Sequence, residues 1–182
     1  MTREFVVEQL RRYQSVFAEE ASVVQMFSGF IEENEGCFER GLAVGHITGS
    51  AWVVDGTGER VLLTHHRKLD KWLQLGGHAD GCADVLSVAK REVLEESGLD
   101  GIVPITTEIF DIDVHVIPAR KSEPEHLHYD IRYLFRAGSD EKYVVSNESH
   151  DLGWVPLEEL GRYTDEPSMH RMAAKWAAWR GR

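Results

Sequence analysis

At 182 residues, 42% hydrophobic and 28% charged, the chain suits one domain with an appended helix or hairpin. That length buries enough core to fold without a disulfide framework or a structural zinc. Lys plus Arg is 20 and Asp plus Glu is 31, so the net charge of −11 disfavours nucleic acid and anionic membranes as partners, while a divalent cation would still admit a small phosphorylated ligand.

The two cysteines, Cys37 and Cys82, make no Cys-x-x-Cys pair and point to a reducing compartment. Residues 1–20 are charged throughout, with no signal-peptide core, and no apolar stretch is long enough for a membrane span. A cytoplasmic location is therefore expected.

Phe5, Leu10, Tyr13, Val16, Phe17, Val23, Val24, Phe27, Phe30 and Ile31 recur at helical spacing and predict one or two amphipathic helices over residues 4–31. An acidic stretch ending at Gly36 stops them. They are expected to form an N-terminal helical segment, residues 1–36, packed on a main domain, residues 37–182. Residues 45–54 and 59–65 read as a hairpin around the turn Asp55-Gly56-Thr57-Gly58. Residues 72–75 read as a short extended piece closed by Gly76-Gly77. Residues 84–97 read as a helix with Gly98-Leu99 as its glycine cap and hydrophobic partner. Strands follow at 102–117, broken by Pro104, at 129–135 and at 143–145, with a polar loop over 118–126. A strand end at 153–155, a short helix from 156 to 160 and an amphipathic helix over 168–179 complete the chain. Strands and helices mixed around one central helix suggest an α/β or α+β sandwich.

The chemistry gathers on that central helix. Glu92, Glu95 and Glu96 are three and four residues apart and share one face. Carboxylates so placed repel one another unless a hard divalent cation neutralises them. Arg91 is placed to steady one of them. A bare E-x-x-E-E is more often a solvated acidic face. Here Gly76-Gly77 permits close backbone approach before the helix, and Gly98 ends it cleanly.

Residues 77–99, GHADGCADVLSVAKREVLEESGL, resemble the box of the Nudix hydrolases, G-x5-E-x7-R-E-U-x-E-E-x-G-U with U bulky and apolar. The match falls at Gly77, Arg91, Glu92, Val93, Glu95, Glu96, Gly98 and Leu99. Ala83 stands where the box has its first Glu, and Asp80 and Asp84 are the nearby carboxylates that would have to substitute. The resemblance covers the box closely and residues 45–160 more loosely. It implies an α/β fold, a Nudix-type α/β/α sandwich with a mixed sheet, plus the N-terminal helical segment.

The resemblance also implies hydrolysis of the pyrophosphate bond in a nucleoside diphosphate linked to another group, with Mg²⁺ or Mn²⁺ as cofactor. By position, the Gly77 carbonyl, Glu95 and Glu96 would be metal ligands. Glu92 would bind metal through water or activate the nucleophile, held by Arg91. The family often adds a Glu from outside the box. Glu148, six residues before Trp154, is the candidate, with Glu123 and Glu125 next. The implied partner is a small nucleotide-type substrate, and family members are often homodimers. The alternative, motivated by Ala83, is a catalytically weak or inactive Nudix-like nucleotide-binding regulatory module. A prenyl-diphosphate isomerase of this family would need a catalytic cysteine, and neither Cys82 nor Cys37 fits.

Further candidates surround the box. His78 and His128 are expected to line the substrate cleft. Arg67 and Lys68, followed by Lys71, are candidates to meet outer phosphates, although a solvated basic patch is the commoner meaning. His126 and His128 form an H-x-H on one strand face. That pair would suit zinc if His115 or an acid completed it, but no Cys or His spacing here is a recognised zinc signature. Trp72, Trp154 and Tyr129 could stack on a base, though aromatics beside strands are more often core.

Overall fold

The computed structural model describes residues 2–119 and 124–181. Helix α1 (Arg3–Val16) starts at Thr2, whose side chain accepts from the Phe5 N–H, and it buries Val6, Leu10 and Tyr13. A short 3₁₀ turn at Ala18–Glu20 separates it from α2 (Ala21–Glu33), which buries Val24, Phe27, Phe30 and Ile31. The predicted helical segment is therefore two helices, and most of its apolar stripe is turned inward, with Phe5 and Val16 left exposed. Phe30 stacks on Tyr129 at 3.9 Å between ring centroids, and Phe27 meets the same ring edge-on at 5.3 Å.

Strand β1 (Gly45–Val54) is buried along its whole length and is the axis of the sheet. After it come β2 (Arg60–His66), β3 (Lys71–Leu73), β4 (Leu75–His78), helix α3 (Val85–Ser97), β5 (Val103–Pro104), β6 (Asp111–Ile117), β7 (His126–Arg136), β8 (Ser149–Pro156) and helix α4 (Pro167–Arg180). β1 pairs in parallel with β7 over its full length and antiparallel with β4. β6 and β5 extend the β7 side, while β2 carries β3 and β8. The sheet is thus mixed.

Alternation along the strands sorts two cores. Ile47, Ala51, Val53, Leu62, Tyr133 and Phe135 face a core shared with α1, α2 and α3. Trp52, Val54, Val61, Leu63 and Leu134 face the other way, against Leu160 and against Met169, Met172 and Trp176 of α4. A strand buried on both faces needs a covering layer on each side, and this is the α/β/α arrangement that the resemblance implied. No helix among the described residues is long and apolar enough to cross a membrane.

Several local readings change. The turn at Asp55 to Gly58 exists, but β1 and β2 pair only at Val54↔Val61; β2 leaves β1 to run beside β8. Gly76 and Gly77 do not close a strand, because they lie inside β4 and pair with Ser50 and Gly49. Residues 143–145 form no strand. The Val144 N–H instead donates to the Ser97 carbonyl at 2.7 Å, satisfying one of the open carbonyls at the end of α3. β7 begins three residues earlier than the pattern suggested, at His126.

Between β6, β7 and α4 lies a buried ion network. Arg132 bonds Asp130 at 2.7 Å and Asp111 at 3.0 Å. Arg171 and Lys175 of α4 reach the same Asp111, at 2.8 Å and 2.6 Å. Asp130 also accepts from Thr48 and Ser50 of β1, tying the network to the central strand.

Candidate active site

Helix α3 is specified locally. Asp84 caps its start, accepting from the Ser87 N–H at 3.2 Å and the Ser87 hydroxyl at 2.8 Å. Gly98 ends it in the left-handed region at φ 67°, where glycine carries no Cβ penalty. Val85, Val88, Ala89 and Val93 pack into the core. The 3.6-residue repeat then turns Arg91, Glu92 and Glu96 toward β4.

There the two glycines matter for space. Neither has a positive φ. A Cβ on Gly77 would stand 2.4 Å from Glu92 Oε2, and one on Gly76 would stand 2.1 Å from Ser50 Oγ. The Gly76 N–H donates to Glu96 Oε1 at 3.0 Å. Gly77 therefore makes room for the Glu92 carboxylate and Gly76 for Ser50 of β1, a different reason from the tight loop expected.

Arg91 locks the arrangement. Its Nη2 donates to Glu92 Oε1 at 2.8 Å and to the His78 carbonyl at 2.9 Å, and its Nε lies 3.7 Å from Glu95. Burial first, then the charges of Glu92, Glu148 and Glu95, push the Glu96 carboxyl up to about 8 in spite of the Gly76 hydrogen bond. Burial also raises Glu92, opposed by Arg91 and reinforced by Glu95 and Glu148. Glu95 is the exposed member, with 61% of its side chain accessible.

Glu148, far along the chain from the box, adds its charge to the raising of both box carboxyls. It is exposed, immediately before β8, and its carbonyl accepts from the Arg67 N–H at 2.9 Å. Arg67 Nη2 donates to the neighbouring Ser149 carbonyl at 2.9 Å, so the tip between β2 and β3, with exposed Lys68, abuts Glu148. Lys71 instead pairs with Glu166. Glu125 lies just before β7, and Glu123 falls outside the described residues.

Ala83 packs against the apolar core. Asp84 is engaged as the helix cap. Asp80 adopts φ 48° and contributes its charge near Arg91. The three aromatics have structural neighbours: Tyr129 lies under Phe30, Trp72 stacks on His65 at 5.2 Å, and Trp154 Nε1 donates to the Glu141 carbonyl at 2.9 Å. His78 and His128 come together with His46, a residue the sequence reading missed. Its only signal would have been its register opposite His128 in the parallel β1–β7 pair, which no local pattern contains.

The donor set is one of hard oxygens: Glu92 and Glu96 lie on a strand whose glycines allow contact, and Glu95 is exposed beside them on the same helix. Two of these carboxyls are pushed toward protonation by burial and by one another, the condition that a divalent cation relieves. The residues present fit Mg²⁺ or Mn²⁺.

The family model of the NUDIX domain matches residues 46–177. Among solved structures, a C. elegans Ap4A hydrolase in a binary complex aligns with a TM-score of 0.61 at 17% identity, covering 74% of this chain and 97% of that one. A MutT protein from Methanosarcina mazei Go1 aligns at 0.57 and 22% identity, covering 78% and 99%. A NUDIX-family hydrolase from Clostridium perfringens aligns at 0.55 and 23% identity, covering 74% and 97%. At these identities the likeness is one of fold. No curated protein matches.

Proposed function

The chain belongs to the Nudix family, and from that premise we propose that it is a pyrophosphohydrolase acting on a nucleoside diphosphate linked to another group. The observation that carries this reading is the gathering of Glu92 and Glu96 against the Gly76–Gly77 strand, with Glu95 exposed on the same helix face and Arg91 bridging helix and strand.

Glu92, Glu95, Glu96 and the Gly77 carbonyl would hold Mg²⁺ or Mn²⁺, which when bound supplies charge neutralisation on the oxygens of the reacting diphosphate. Arg91 keeps the Glu92 carboxylate in one orientation, so no reorganisation is needed at the moment of reaction. Glu148, whose charge acts on Glu92 and Glu96, takes the proton from the attacking water. As an exposed residue before β8 it can stay solvated and swing inward with substrate. Arg67 and Lys68, on the adjoining tip, draw in the outer phosphate.

The test is turnover of a panel of nucleoside triphosphates, nucleotide sugars, dinucleoside polyphosphates and coenzyme derivatives with Mg²⁺ or Mn²⁺, the products identified. Cleavage at a pyrophosphate bond is expected. Tight binding without turnover across the panel would favour the regulatory-module reading, for which Ala83 in the place of the box's first Glu is the motivating feature. On the best substrate, Glu148→Gln is expected to lower kcat by roughly 10²-fold or more with Mg²⁺ affinity by calorimetry unchanged. A fall in both would make Glu148 a ligand. A change in neither would remove it from the site and move the search to Glu125.

A further inference from the structure

The box leaves a second cluster of metal-binding groups unexplained. His46 on β1 sits directly opposite His128 on β7 in the parallel ladder, and β4 delivers His78 alongside. One ring nitrogen from each of the three lies within 4.8 Å of the others. We propose that His46, His78 and His128 form a site for a borderline-soft divalent transition ion, with Zn²⁺ the representative, separate from the oxygen-ligand site of the box.

The buried polar atoms argue for it first. His46 is 2% exposed, yet neither of its ring nitrogens has a hydrogen-bond partner, and His128 Nε2 has none either. A buried polar group left unpaired costs about 1–3 kcal/mol, and native proteins rarely leave several together. Asp130, whose charge acts on His128, is already engaged by Arg132, Thr48 and Ser50. A cation with nitrogen preference takes one nitrogen from each ring and so relieves part of this deficit.

Ligand chemistry points the same way. Burial, reinforced by neighbouring histidines, holds His46 down to about 4 and His128 down to about 3, so both rings offer free lone pairs at neutral pH. Three neutral imidazoles select Zn²⁺ and its transition-metal neighbours over Mg²⁺ or Ca²⁺, which prefer oxygen. Nitrogens on a tetrahedral zinc stand roughly 3.4 Å apart, so closing the site needs side-chain shifts on the order of 1 Å.

A fourth ligand is at hand. A recess of about 320 Å³, bordered by Arg40, Leu42, His46, His78 and His126, opens onto the cluster and can supply water. The His126 ring lies 5.0 Å from His46, with its Nδ1 bonded to the Pro124 carbonyl at 2.8 Å. The bound ion would tie β1, β4 and β7 together one residue beyond Gly77, where the His78 carbonyl holds Arg91.

Zinc binding here is independent of the hydrolase reading, and its test uses the cation-free full chain. Calorimetry with Zn²⁺ is expected to show a site with Kd below about 1 μM that excess Mg²⁺ does not displace and that survives Glu96→Gln. His46→Ala and His128→Ala are expected to weaken it by roughly 100-fold or more. Zinc affinity unchanged in both histidine variants, lost in Glu96→Gln, or abolished by Mg²⁺ would overturn the proposal. If the histidine variants do not fold, Co²⁺ loaded into the unmodified protein decides. An intense visible spectrum of a four-coordinate, nitrogen-rich site supports the assignment. A weak six-coordinate spectrum, or none, overturns it.

Discussion

Glutamine in place of Glu96 is expected to lower cation-dependent turnover by at least about 10²-fold, roughly 2.7 kcal/mol of barrier, while making the cation-free protein more stable. The two effects share one cause. Glu96 is 8% exposed, and burial together with the charges of Glu92, Glu148 and Glu95 raises its carboxyl from 4.5 to about 8. The native state therefore holds this proton more tightly than the unfolded chain does. Its stabilising effect is complete below pH 4.5, and native stability declines as pH climbs from there toward 8. Glutamine keeps an oxygen to accept from the Gly76 N–H and carries no charge, so the variant lacks this decline. At pH 8 its gain is expected to be on the order of 1–3 kcal/mol. Glu95→Gln is the control. Its side chain is 61% accessible, so the same loss of turnover should come with no gain in stability. Thermal melts at pH 5 and pH 8, with and without Mg²⁺, check both halves. Normal turnover in both folded variants would remove these residues from the metal site. A Glu96→Gln melt that keeps the pH slope of the unmodified protein would refute the burial account.

Asp111→Ala is expected to destabilise the fold by about 2–4 kcal/mol, the cost of removing a carboxylate shared by three cations, although Arg132 keeps Asp130, Arg171 keeps Asp113 and Lys175 keeps Glu20. Asp111 is fully buried and accepts from Arg132 at 3.0 Å, from Arg171 at 2.8 Å and from Lys175 at 2.6 Å. Arg132 and Lys175 are themselves only 3% and 8% exposed, so water cannot replace the lost carboxylate. Arg171 and Lys175 belong to α4 while Arg132 belongs to β7, so the same substitution loosens the helix that covers one face of the sheet. The comparison is Glu108→Ala, which removes an exposed partner of Arg12 at 3.4 Å and should cost under about 1 kcal/mol. Urea denaturation of both variants measures the difference. A cost for Asp111→Ala no larger than that of Glu108→Ala would show that the network contributes nothing beyond a surface pair.

Helix α3 was legible in the chain down to its ends, because Asp84 and Gly98 act on backbone groups only a few residues away. The shared face of Glu92, Glu95 and Glu96 follows from the same short-range geometry, and so does the alternation that buries Trp52 and Val53 on opposite sides of β1. What these groups meet was decided elsewhere. Gly76 and Gly77 read as a turn from their type alone, yet they lie inside a strand because β1 binds its antiparallel edge there and α3 presses carboxylates onto it. The charge of Glu148 acts on Glu92 and Glu96 although it is more than fifty residues away in the chain, through the pairing of β8 with β2 rather than through any local pattern. His46 finds His128, and Thr48 finds Asp130 at a separation of 82 residues, through a parallel pairing whose cost in chain entropy is offset by burying β1 on both faces. A periodic pattern states which side of an element is apolar. It carries no label for which distant strand will cover that side, because any apolar partner of the right length lowers the free energy in the same way, and only the packing of all the layers together selects among them.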